Sequence, residues 1–121
     1  MTLNFIILCD KTEKISEGGK FNFLGVFDTI SAASFPAVHK ELTIVANIEK
    51  EGGTHREFFQ LKKKKELIFR GDEVTFNGTR PRHQFVHHLE NIPLSEEGKY
   101  EVEIYVDDAL IGHTYFSAKL S

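Results

Sequence analysis

The stretch Lys99-Tyr100-Glu101-Val102-Glu103-Ile104-Tyr105-Val106-Asp107 decides the fold. Tyr100, Val102, Ile104 and Val106 alternate with Lys99, Glu101, Glu103, Tyr105 and Asp107, a period of two that sets one face of an extended strand in a core and the other in water. Asp107-Asp108 follows where a tight turn is needed. Leu110, Phe116, Ala118 and Leu120 then carry a second two-residue pattern, so the two segments are expected to form a hairpin.

The same reading extends upstream. Leu42, Ile44, Ala46 and Ile48 alternate with Thr43, Val45, Asn47 and Glu49, and the turn signal Glu51-Gly52-Gly53-Thr54 closes the segment. Strands are expected from His55 to about Lys62 and from Glu66 to Arg70, separated by the basic tip Lys62 to Lys65. Further strands are expected at Val74 to Phe76 and at about His83 to Leu89, with Asp72, Asn77-Gly78 and Pro81 marking loop. Near the start, Phe5-Ile6-Ile7-Leu8-Cys9 reads as the first strand, because it has no basic segment before it and stops at Asp10. Gly18-Gly19 divides it from the run Phe21 to Ser31, and Phe35-Pro36 ends that run. No helical period lasts more than two turns. The expected fold is an all-β, antiparallel two-sheet β-sandwich of seven to nine strands, with residues 1–121 as a single domain.

Composition agrees with sheet and narrows function. Eleven Phe and three Tyr suit a pleated, half-buried surface. A net charge of −3, from 18 acidic and 15 basic residues, gives no general attraction to nucleic acid or anionic lipid. The lone Cys9 rules out an intrachain disulfide and fits a reducing compartment. No segment approaches the roughly 20 apolar residues of a membrane helix, so a soluble cytoplasmic protein is expected.

Glu96-Glu97-Gly98-Lys99-Tyr100 resembles the immunoglobulin-type entry to the penultimate strand, where a Tyr hydroxyl bonds back to the chain at the corner between sheets. Val102 stands where a disulfide-bonded immunoglobulin domain has Cys. A second resemblance is carried by Leu8-Cys9-Asp10, by Leu24-Gly25-Val26-Phe27-Asp28 with Ile30, by Phe35-Pro36 with Val38 and His39, and by Gly98-Lys99-Tyr100. In these residues the chain resembles a family of small bacterial proteins of unassigned function. That resemblance implies an immunoglobulin-like fold and no activity.

Candidate chemistry is sparse. His83, His87 and His88 are the closest histidines, but residues four apart on a strand are about 13 Å apart and neighbours point to opposite faces, so no metal site is expected from them and no cofactor is implied. Cys9, in the apolar phase of Leu3, Phe5 and Ile7, reads as a packed thiol. Lys62 to Lys65 reads as a solvated tip. Asn77-Gly78-Thr79 has the form of a glycosylation sequon, which matters only in a secreted protein.

Asp10, Asp28 and His39 are polar residues beside apolar segments. Either the carboxylates accept N–H bonds at strand ends and the histidine caps a turn, or the three converge on one end of the sandwich as a small polar site. The leading expectation is a non-enzymatic binding or assembly module. Its runner-up is a small hydrolase or metal-dependent enzyme using Asp10, Asp28 and His39. A protein partner or homo-oligomer is expected at a sheet edge, with Ile111, His113 and Tyr115 of the last strand as the candidate interaction surface.

Overall fold

A computed structural model describes residues 1–15, 20–50, 52–77 and 79–121. Among the described residues ten strands follow one another: β1 (Thr2–Lys14), β2 (Phe21–Val26), β3 (Thr29–Ala32), β4 (Ala37–Glu49), β5 (Thr54–Lys63), β6 (Glu66–Arg70), β7 (Val74–Asn77), β8 (Arg82–Leu94), β9 (Gly98–Val106) and β10 (Ala109–Leu120). They form a four-stranded sheet in the order β2-β1-β4-β8 and a six-stranded sheet in the order β3-β10-β9-β5-β6, with β7 also on β5. The Gly18-Gly19 break and the glycine of the sequon lie outside the described residues.

Ten strands exceed the expected seven to nine because the run Phe21 to Ser31 splits between the sheets. Phe27 N–H still bonds the Leu8 carbonyl in the four-stranded sheet, while the Asp28 carbonyl already accepts from Ser117 in the six-stranded one. β3 then lies parallel to β10, from Ser117 beside Thr29 to Leu120 beside Ala32, so the six-stranded sheet is mixed rather than wholly antiparallel.

The β9–β10 hairpin turns on Asp107 and Asp108, both at positive φ (51° and 65°), the backbone of a type I′ turn. Asp107 holds the turn against β5: its carboxylate accepts from Arg56 N–H at 3.1 Å and lies 2.6 Å from His55 Nδ1. The bond to His55 keeps that carboxyl below the usual aspartate range. Lys64 and Lys65 make the same positive-φ pair between β5 and β6. That tip is less solvated than expected. Lys62 pairs with Glu103 at 2.8 Å and Lys64 with Glu96 at 3.1 Å, while Lys63 is buried with its ammonium 5.2 Å from the Tyr100 ring centre.

One apolar cluster draws on both sheets. Leu42, Ile44, Ala46 and Ile48 of β4 face Phe59, Leu61, Tyr100, Val102, Ile104 and Phe116. On β1 the phase differs from expectation, because a bulge between Leu3 and Phe5 shifts the register. Leu3, Ile6 and Leu8 therefore pack on the core, and Phe5, Ile7 and Cys9 share the opposite face. Cys9 is nonetheless fully buried there, flanked by Val26 and Thr43, and burial followed by the neighbouring Asp10 pushes its thiol up.

The corner predicted at Tyr100 is present: its ring is buried, stacks on Phe116 at 5.3 Å, and its hydroxyl donates to the Glu96 carbonyl at 2.7 Å. Tyr100→Phe should cost about 1 kcal/mol by leaving that bond unmade. Tyr105 donates to Glu103, which keeps Lys62 as a partner, so Tyr105→Phe should cost no more than a few tenths of a kcal/mol. Urea unfolding of the two variants checks the difference, and equal losses would contradict the assigned roles.

Candidate functional site

The three polar residues singled out near the start do not all meet. Asp10 and His39 line one cavity of about 350 Å³ with Gly25, Phe27, Thr29 and Ser31, at the end where β2 gives way to β3. Asp28 is not among its walls; its carboxylate accepts from the Thr29 hydroxyl at 3.0 Å. Gly25 stands opposite Asp10 at φ +69°, a backbone that favours glycine, and a Cβ there would also have to displace the Asp10 carboxylate. His39 packs edge-on to Phe27 at 5.7 Å. Its Nε2 is buried without a hydrogen-bond partner among the described residues.

The last strand is an edge only in part, since β3 covers Ser117 to Leu120. A bulge between Leu110 and Gly112 also divides the expected surface. Ile111 packs against the core, whereas His113 and Tyr115 remain exposed on the outer face, with Lys99 4.3 Å above the Tyr115 ring.

The open side of the molecule lies elsewhere. The four-stranded sheet ends at β8 and the six-stranded sheet at β6, and between them runs a cleft that no strand among the described residues closes. One part, about 460 Å³, is lined by Leu61, Ile68, Phe69, Leu89 and Ile92 among others. An adjoining part of about 270 Å³ adds Phe59, Gly71, Val74, Val86 and His87. Phe76, in ring contact with His83 and Phe85, stands at the end where β7 begins to cover β8.

Behind this cleft lies a polar pair that joins the sheets through the core. Glu57 of β5 is fully buried, and both its oxygens lie 2.8–2.9 Å from Nε2 of His87 on β8. Nε2 and the two carboxyl oxygens are the only hydrogen-bonding groups in this contact, with an ionised Glu57 accepting from Nε2–H. The Phe59 ring sits 4.9 Å from the imidazole. Sequence reasoning missed this pair, although a signal was there: Glu57 shares the inward phase of Phe59 and Leu61, and His87 that of Phe85 and Leu89.

His88, one residue on, points to the other face. The Thr43 hydroxyl donates to the Asp10 carbonyl at 3.0 Å, so His88 Nδ1–H must be the donor across the 2.8 Å contact to Thr43. His83 lies 3.3 Å from the Lys50 carbonyl. Each of the three histidines is thus engaged by a different protein group, as the alternation of a strand requires.

These features describe an all-β protein of two facing sheets with a small polar cavity at one end and an apolar cleft along one side. No helix among the described residues is long and apolar enough to cross a membrane. The chain belongs to the family of unknown function DUF6941, whose model matches residues 4–119. A search of curated proteins finds no match.

Proposed function

We propose that the protein is a non-enzymatic binding or assembly module, built on an immunoglobulin-like sandwich, that engages another polypeptide along β8 and the cleft beside it. The Tyr100 corner and the strand orders of the two sheets support the immunoglobulin-like reading. The observation that carries the function is the cleft itself, an apolar slot beside an unpaired strand edge. An extended segment laid along that edge would satisfy the free backbone groups of β8, with the slot beside it. Modest net charge and the buried thiol suit a soluble, cytoplasmic protein without nucleic-acid partners.

Val86 is exposed at the middle of this edge. Val86→Lys should leave stability within about 0.5 kcal/mol, as for most surface changes, while abolishing capture of native partners that the wild type retains. A variant that captures every partner as well as the wild type would overturn the reading.

A second reading, the hydrolase or metal-dependent enzyme, is favoured by one observation: the buried, unpartnered Nε2 of His39 shares a cavity with Asp10. Asp28, the third residue of that reading, accepts from Thr29, which lines the same cavity.

A further inference from the structure

We infer that the polypeptide taken up by β8 is a second copy of this chain, its β8 paired antiparallel with the first about a twofold axis through Val86. The inference rests on the reading of this edge as the binding surface.

The ladder between β4 and β8 keeps one register from Glu49 beside Arg82 to Glu41 beside Glu90. Just beyond it, Lys50 N–H bonds the Pro81 carbonyl at 2.9 Å. Hydrogen-bonded pairs recur at every second residue of an antiparallel ladder, so His83, Phe85, His87 and Leu89 direct their backbone groups at β4. Arg82, Gln84, Val86, His88 and Glu90 therefore direct theirs to the open edge. The side chains of these same five residues lie exposed on the outer face.

A second strand must bring bonding residues opposite bonding residues. With the axis at Val86, Arg82 of each copy meets Glu90 of the other, Gln84 meets His88, and Val86 meets Val86. Opposite charges thus face each other at both ends of an apolar centre, on one face of the joined sheet. Moving the axis one residue forward sets Arg82 against Ile92 and Glu90 against Gln84. One residue back, Arg82 meets His88 and Glu90 passes the end of the strand. Arg82 and Glu90 are 71% and 69% exposed, and their present neighbours, Glu49 at 3.3 Å from Arg82 and His88 at 3.7 Å from Glu90, are surface contacts that a partner strand would exchange for the new pairs.

The edge also has the character of one meant to be covered. At 13 residues β8 is longer than the edge strands β2, β3 and β6, at 6, 4 and 5. Arg82 to Glu90 contains no lysine or proline to discourage pairing. Because the axis stands across the sheet, both clefts fall on the same side, and the exposed Phe69 and Val74 at their borders come to lie beside the join.

Sedimentation velocity of the whole chain over a range of concentrations tests this. The wild type should reach a dimer, and R82E and E90R should each weaken it about tenfold or more, since each change sets like charges opposite each other at both ends. The combined R82E/E90R variant should regain most of the loss. A wild type that stays monomeric throughout, or a double variant no tighter than the singles, overturns the inference. If the monomeric wild type still loses a captured partner on Val86→Lys, only self-pairing falls and the binding reading stands.

Discussion

His87→Leu is expected to destabilise the protein by about 3 kcal/mol or more, the cost of leaving a buried carboxylate without its partner. Glu57 has no exposure to water, and His87 Nε2 is its hydrogen-bond partner from both oxygens. Deleting the imidazole removes those bonds and leaves the carboxyl buried beside Val106, its neighbour across the ladder. A buried carboxyl without a hydrogen-bond partner is unfavourable. Adding Glu57→Leu to the same chain should recover most of the loss, because two apolar groups of similar size satisfy each other. Urea unfolding of both variants checks this. A double variant as unstable as the single one would show that the pair is not what the site depends on.

Phe116→Ala should cost about 3–5 kcal/mol, the range for emptying a buried aromatic position. Phe116 is fully buried, stacks on Tyr100, and meets the Phe27 ring edge-on at 6.0 Å. Phe27 in turn supports His39, so the loss should spread to the Asp10 and His39 cavity as well as to the corner. Chemical denaturation gives the magnitude, and the tyrosine signal in near-ultraviolet circular dichroism reports the corner. A loss below about 1 kcal/mol would mean the ring is not packed as described.

Much of the sheet was legible because one-sided burial writes itself into alternation. Tyr100 to Val106 alternates as read, and the turn at Asp107-Asp108 falls where the pattern breaks. What was illegible traces to places where alternation fails locally. The bulge after Leu3 moves Cys9 off the core face, and the bulge at Ile111 detaches that residue from His113 and Tyr115. β8 continues past Leu89 to Leu94 because Asn91 takes φ 55°, letting Ile92 return to the core out of phase with Leu89.

The candidate sites were legible in pieces. Asp10 and His39 come together because β1 and β4 are neighbours, whereas Asp28 sits at the crossover between sheets and bonds Thr29 rather than lining the cavity itself. The cleft had no signature in the sequence. It arises from the absence of a strand beside β8, and single-strand patterns carry no information on which strand a sheet ends with.

The partner role of β8 is tested most directly by amide hydrogen exchange along that strand. In dilute protein, the amides of His83, Phe85 and His87 should exchange slowly and those of Gln84, Val86 and His88 quickly, since only the first set is bonded to β4. At high concentration, or with a captured partner present, the second set should become slow as well. Fast exchange of Gln84, Val86 and His88 under both conditions would contradict a partner strand at this edge.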